Sequence, residues 1–382
     1  MNVAAMRGSC LFFFFCKLCV LALLCSCAGG GERGVAIEGD TLPMLHSRLL
    51  RFVECDSFSV AEIENPWRGG LMHRYLLVPR DSAVPSSMPA GTLVRTPLCN
   101  MLLFSAVHAC LYHSLGQLDA VGGVCDAKYI LLPEIHERIS AGSVTDCGST
   151  MNVDAERVVQ LSPDAVFVLP FENGGYGKIE KLPFPIVECA EYMESSPLAA
   201  AEWMRFYGRL AGCGHKADSL FFAVCDTFAA LRASVESLSH RPSLMCELKS
   251  SSAWYVPAGE STMGQLYSMA GARYLFDYNE GSGSVPLSYE TVLARAADAD
   301  LWLIKYNSET DKNYASLLDD FRGYGHFKAY KERNIYACNT AHRPFYDETP
   351  FRPDILLKEL IAIFHPSLVG DYKLRYYEKM QE

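Results

Sequence analysis

One pattern occurs twice in this chain, and it restricts the fold more than any other feature. Glu156-Arg157-Val158-Val159 leads through a turn at Pro163-Asp164 into the apolar run Ala165-Val166-Phe167-Val168. Glu290-Thr291-Val292-Leu293 leads through Asp298-Ala299-Asp300 into Leu301-Trp302-Leu303. Each copy reads as a helix opening with glutamate, a turn with aspartate, and a buried strand. Short apolar strands alternating with helices imply α/β domains with a largely parallel sheet. The strands expected in the first copy are Thr92–Arg95, Ala120–Cys125, Asp164–Leu169 and Pro185–Cys189, with helices at Met101–Leu115 and Glu156–Leu161. In the second copy the strands are Ser243–Glu247, Leu301–Lys305 and Asn334–Ala337, and the helices are Gly264–Ala270, Tyr289–Ala296 and Asp354–Phe364.

Between the copies lies a long helical stretch, roughly 197–238, interrupted at Gly212-Cys213-Gly214. Ala217, Leu220, Phe221, Val224, Phe228 and Leu231 recur along it at helical spacing. A helix from Lys216 to Leu238 would be about 35 Å long, enough to join two domains. The fold class expected is therefore α/β, with two Rossmann-like lobes joined by a single long helix and a ligand cleft between them. The divisions are 1–26 signal peptide, 27–90 tether and N-terminal extension, 91–196 first lobe, 197–240 linker helices, and 241–382 second lobe with a C-terminal helix. Residues 28–90 read as loop-rich, with turn-forming density from Arg80 to Pro89.

The N-terminus carries Arg7, an apolar run from Leu11 to Leu24 broken by Lys17, and small residues after it. Such a charged, apolar and small-residue succession reads as a secretory signal peptide. Its unbroken apolar part, Leu18–Leu24, is far shorter than the ~20 residues a spanning helix needs. Leu24-Cys25-Ser26-Cys27 resembles a bacterial lipobox, which makes Cys27 the acylated residue, with Cys25 as the alternative. The mature chain is then extracytoplasmic and lipid-anchored, at a periplasmic face or cell surface. Cleavage before Cys27 removes Arg7 and Lys17 and no acid, so the formal charge of −10 becomes −12. An acidic surface of this size argues against nucleic acid as a partner.

The ten cysteines beyond residue 27 form no CxxC and no Cys/His cluster with metal-ligand spacing, so no metal site and no resident cofactor are expected. Export permits disulfides, but spacing selects no pairs. Glycine-rich segments at 172–175 and 281–284 lack the spacing of a phosphate loop or dinucleotide fingerprint. No Gly-x-Ser-x-Gly elbow and no His-Glu-x-x-His occur, and the reading is a non-enzyme.

Met151-Asn152 followed by Glu156 to Asp164 resembles the "N-L-E-R-I-x-x-L-x-P-D" signature of the substrate-binding proteins of ABC importers, in the helical-linker group serving ferric siderophores, haem and cobalamin. Gly116 to Val124 resembles that group's "G-x-x-D-x-V-V-G-V" step. Ala201 to Gly208, Trp254-Tyr255-Val256-Pro257 and Cys338-Asn339-Thr340 are similar to segments of iron-compound binders. The resemblance spans about residues 92–365. It implies a receptor that hands an iron chelate to an ABC permease and its ATPase. Cobalamin or another corrinoid is the alternative ligand. A surface lipoprotein without a permease, or an enzyme reusing the fold, are the alternative classes. It further implies that Glu156 and Glu290, one per lobe, dock on permease arginines. For each, a favourable first-turn acid is the simpler structural role.

Ligands of open α/β sheets bind at the carboxyl ends of strands. The residues expected to bind the chelate are Glu172 and Tyr176 in the first lobe, and Trp254, Tyr255, Tyr306, His342, Arg343 and Tyr346 in the second. Aromatic walls suit a planar or macrocyclic chelate. Arg343 suits an anionic group. Tyr176, Tyr255 and Tyr346 could ligate iron or stack on a ring, and His342 is the imidazole best placed for haem.

Overall fold

A computed structural model describes residues 37–382. The signal peptide and the lipidation residues Cys25 and Cys27 lie outside the described residues. No helix among the described residues is long and apolar enough to cross a membrane, and the ten cysteines there are free thiols.

The chain first makes an antiparallel meander, β1 (Asp40–Leu42), β2 (Leu50–Glu54), β3 (Ser59–Glu64) and β4 (Leu71–Pro79), to which β5 (Thr92–Thr96) adds in parallel. The expectation of a loop-rich segment up to residue 90 is thus corrected. Tight turns at Cys55–Phe58 and Asn65–Gly70 cut the strands short, so the alternation that marks a strand is brief. Inward-facing Phe52, Ile63, Tyr75, Leu77 and Val94 are buried in one core with Tyr112, Phe167 and Trp203 of the first lobe. Thr92–Arg95 is a strand, but it belongs to this sheet.

The first lobe has a five-stranded parallel sheet. Its strands are β6 (Met101–Leu103), β7 (Val121–Val124), β8 (Thr145–Asp146), β11 (Ala165–Val168) and β12 (Ile186–Glu188), in the order β12-β11-β6-β7-β8. A small hairpin, β9 (Gly148–Ser149) with β10 (Asn152–Val153), follows β8. Met101–Leu103, expected in a helix, is a strand. The helix starts only at Ala106, where the Ser105 hydroxyl accepts the Val107 amide as N-cap.

The second lobe repeats the plan. Strands β13 (Ser243–Cys246), β16 (Arg273–Tyr274), β18 (Leu301–Tyr306), β19 (Ile335–Asn339) and β20 (Glu378–Lys379) run β16-β13-β18-β19-β20, parallel except for the last. A side sheet pairs β14 (Lys249–Ser250), β15 (Ala253–Pro257) and β17 (Ser284–Leu287). Strands such as β11 and the first four residues of β18 are buried throughout, as parallel strands covered on both faces must be.

The duplicated pattern occupies equivalent places. In each lobe the strand after the pattern pairs with the lobe's first strand, β11 with β6 and β18 with β13. The aspartates of the two turns do the same work. One Asp164 carboxylate oxygen accepts the Cys99 and Asn100 amides just before β6, at 2.7 and 2.9 Å. One Asp300 oxygen accepts the Ser243 amide and hydroxyl at the start of β13, at 2.9 and 2.6 Å. Although burial pushes Asp300 up, the Lys328 ammonium and the Ser243 donors hold it down to about 2.

The linker comprises helices Pro197–Glu202, Met204–Leu210 and Gly214–Glu236. Ala217, Phe221 and Val224 of the long helix lie in the first lobe's core, whereas Phe228 and Val235 lie in the second's. One helix therefore roots in both cores. Glu202 and Glu194 hold the extension against the first linker helix. Glu202 accepts the amides of Leu45, His46 and Ser47 at 2.7–2.8 Å, and Glu194 accepts those of Arg48 and Leu49.

Candidate functional site

The carboxyl ends of the first lobe's strands bend into loops that one carboxylate gathers together. Asp126, just beyond β7 with φ of 52°, accepts the Thr150 amide and hydroxyl, the latter at 2.6 Å. This draws the 147–152 loop toward the 126–129 loop. Beside them opens a cavity of about 590 Å³, walled by Phe104, Met151, Leu169, Phe171 and Tyr176, with Lys178 as the cation among its lining residues. Met151 is 92% exposed and Phe171 65% exposed. Large apolar side chains left to water on one rim mark a surface shaped for an apolar partner.

Tyr176 lines this cavity with its ring, but its hydroxyl is engaged. The hydroxyl donates to Glu188 at 2.8 Å, burial pushes the phenol up, and the Glu188 charge pushes it further. Glu188 also meets His73 Nδ1 at 3.1 Å, and His73 stacks on Tyr75 at 4.4 Å between ring centroids. The N-terminal sheet thus braces Tyr176 through Glu188. Glu172 stands exposed at the tip of the 171–175 turn, next to Asn173 in the left-handed region at φ of 57°. Arg68 of the N-terminal sheet donates to the Asn173 side chain.

In the second lobe the expected residues divide. Tyr255 and Tyr346 are 49% and 57% exposed. His342 is half-exposed, with Nδ1 3.3 Å from Asn339 and 3.7 Å from Asp311. Arg343 is paired with Glu378 at 2.9 Å. The Tyr306 hydroxyl accepts the Lys312 amide at 2.8 Å and so fixes the loop after β18. Trp254 requires a correction. It is fully buried, donates from Nε1 to the Cys246 carbonyl at 3.0 Å, and packs on Trp302, Tyr324 and Phe327. Strand alternation sends Trp254 inward and Tyr255 outward on β15, so the tryptophan is a core residue and only the tyrosine is exposed.

Sequence reasoning missed a charged pair at the carboxyl ends of neighbouring strands. Lys305 on β18 donates to Glu247, which follows β13 with φ of 62°. Burial depresses the ammonium, but Glu247 outweighs it and holds Lys305 charged. Tyr346 lies close enough for Lys305 to offset part of the upward push that burial gives its phenol. A lysine closing an apolar strand was the available signal.

The lobes meet where the helix Ala106–Ser114 faces the short helix Phe345–Glu348, and the Leu131 amide reaches Asp347 at 3.4 Å. A second cavity, of about 700 Å³, lies along this seam, between Cys110 and Glu134 on one side and Asp347, Arg352 and Arg375 on the other. Its two arginines are matched within the protein, Arg375 with Glu348 and Arg352 with Asp354. Glu156 and Glu290 are exposed, each in the first turn of its helix behind an N-cap, Asp154 and Ser288 respectively.

Two parallel-sheet lobes sharing one rigid helix, with an apolar recess at the strand ends, define a two-lobe ligand-binding protein. The chain belongs to the periplasmic binding protein family of ABC importers, whose sequence model matches residues 107–341. An uncharacterized lipoprotein of Methanocaldococcus jannaschii is 23% identical over 322 residues, covering 80% of this chain and 76% of that protein. Among solved structures, a periplasmic heme binding protein from Pseudomonas aeruginosa aligns with a TM-score of 0.57 at 16% identity, over 74% of this chain and 98% of that one. An ABC-type Fe3+-hydroxamate transport protein from Saccharomonospora viridis aligns with a TM-score of 0.52 at 18% identity, over 70% and 94%. At these identities the structural similarity shows the fold.

Proposed function

We propose that this protein is an extracytoplasmic, lipid-anchored receptor that binds an iron chelate, a ferric siderophore or haem, and delivers it to an ABC permease and ATPase. The observation that carries this reading is the apolar, aromatic recess at the carboxyl ends of the first lobe's strands, with Phe171 and Met151 on its rim. Aromatic walls stack on a planar or macrocyclic chelate, while a few polar groups orient it. Lys178 on the lining supplies a cation for a carboxylate or an anionic chelate. Tyr255 on β15, His342 in the turn after β19 and Tyr346 in the short helix Phe345–Glu348 supply exposed rings in the second lobe. Arg343 and Tyr176 are already paired, and contribute only if the ligand displaces those partners. The lipid anchor is supported by the Leu24–Cys27 segment and by the lipoprotein relative. Glu156 and Glu290 serve as docking points, one per lobe, steering a basic permease surface into register. The protein acts by binding, with no catalytic step assigned.

The test is an absorption spectrum of the purified protein before and after adding haem, a ferric hydroxamate, a ferric catecholate or cobalamin, with Phe171→Ala alongside. Saturable binding of an iron chelate, weakened at least tenfold in Phe171→Ala, is the expected result. A corrinoid spectrum with no iron-chelate binding would replace iron by cobalamin. No binding of any of the four would remove the chelate reading.

A further inference from the structure

The first lobe contains a second group of donor atoms, well inside the core. His108 projects from the first turn of helix Ala106–Ser114, and Cys189 and Glu191 follow strand β12. They are 1%, 0% and 2% exposed, and one donor atom from each lies within 4.8 Å of the others. We propose that His108, Cys189 and Glu191 bind one divalent transition-metal ion of the zinc class, at a site separate from the ligand recess.

Three features support the assignment. The first is the donor set. Imidazole nitrogen, thiolate sulfur and carboxylate oxygen are what zinc takes in protein sites. The second is the local geometry. His108 Nε2 lies 3.0 Å from Glu191 Oε1, yet neither ring nitrogen of His108 has a hydrogen-bond partner among the described residues. An imidazole nitrogen and a carboxylate oxygen held this close either pair as imidazolium and carboxylate or share one ion between them. The other ring nitrogen, Nδ1, is buried with neither an ion-pair nor a hydrogen-bond partner among the described residues, which is costly. The third is the surroundings. The Tyr207 hydroxyl donates to the other Glu191 oxygen at 2.6 Å, the kind of outer contact that orients a ligating carboxylate. Phe167, Tyr207 and Phe351 enclose the imidazole, with ring centroids 5.0–6.2 Å from it.

Ligand atoms about 2.0–2.3 Å from an ion stand roughly 3.5 Å apart in a tetrahedron, so the widest pair must close by about 1 Å. Rotation of the Cys189 side chain supplies this. Its present hydrogen bond to the Val187 carbonyl, at 3.5 Å, is the weak bond of a thiol and is given up on ligation. The thiol releases its proton to solvent as the sulfur–metal bond forms, so uptake strengthens as pH rises. Phe351, which covers His108, comes from the segment after Phe345–Glu348 that meets the first lobe at the seam. A bound ion would tie the first lobe's helix to the end of β12 and, through Tyr207, to the linker.

The experiment is Co(II) and Zn(II) titration of the full chain against a competing chelator, with metal content measured on the wild type and on Cys189→Ser, Cys246→Ser and Tyr207→Phe. The expected result is one equivalent of tightly held ion and a thiolate-to-cobalt charge-transfer band. The band should be lost in Cys189→Ser and kept in Cys246→Ser, with unchanged circular dichroism. Tyr207→Phe should weaken uptake about 10- to 100-fold. A complementary measurement on the wild type alone covers a variant that does not fold: one equivalent of zinc should raise the midpoint of thermal unfolding, and the chelator should reverse the rise. No stoichiometric uptake, a cobalt band that survives Cys189→Ser, or a midpoint indifferent to zinc would overturn the site.

Discussion

The N-terminal sheet is held to the linker by buried carboxylates, and Glu202→Ala measures how strongly. Glu202 is fully buried and accepts the amides of Leu45, His46 and Ser47 at 2.8, 2.7 and 2.8 Å and Arg205 Nη1 at 3.0 Å. Hydrogen bonds to a charged group are worth about 1.5–3 kcal/mol each, so a simple sum would reach about 6–12 kcal/mol. The sum overstates the loss, because Leu45 is 57% exposed and water can reach the freed amides. Arg205 also keeps Asp218 at 2.8 Å and the Pro43 carbonyl. Removing one partner of a buried pair costs about 3–5 kcal/mol, and that range is the expectation for Glu202→Ala. Glu202→Gln retains one acceptor oxygen and loses the charge, so about half that loss should appear. Urea unfolding followed by tryptophan fluorescence reads both values, and limited proteolysis at Arg48 and Arg51 reads detachment of the sheet. A loss below about 1 kcal/mol in Glu202→Ala, with no new cleavage, would refute the view that this carboxylate fastens the sheet to the linker.

Three further outcomes are expected. Changing Glu156 and Glu290 together to alanine should abolish uptake in cells while leaving ligand affinity and fold intact; lost affinity would sink the docking role. Trp254→Ala should destabilise the second lobe by about 3–5 kcal/mol, as truncation of a buried aromatic does, and should not change affinity in the fraction that remains folded. Asp300 is held at about 2 when folded and titrates near 3.9 when unfolded, so its contribution is present above pH ~4 and is lost as pH falls through about 2. In Asp300→Asn, denaturant midpoints measured between pH 5 and 2.5 should therefore fall less steeply than in the wild type. An unchanged slope would mean that Lys328 and Ser243 do not stabilise the charged form.

The repeated glutamate, aspartate and strand pattern was legible without coordinates because periodicity and turn chemistry are local. The same holds for strands β7, β11, β13 and β18, for the helix Tyr289–Ala296 and for the linker, whose apolar stripe must face something along its whole length. The family followed from the same segments. Tertiary structure decided the rest. The N-terminal strands are too short and too often turned to announce themselves, and only pairing and the grip of Glu194 and Glu202 make them a sheet. Met101–Leu103 joins a strand rather than a helix because Ser105 caps the helix behind it. Trp254 and Tyr255 are neighbours of similar chemistry, and the side of the sheet each faces separates a core residue from an exposed one. His108 and Cys189 lie far apart in sequence, with no spacing to connect them. Their meeting with Glu191 depends on packing the first lobe's helix against the end of β12, which is a property of the folded core alone.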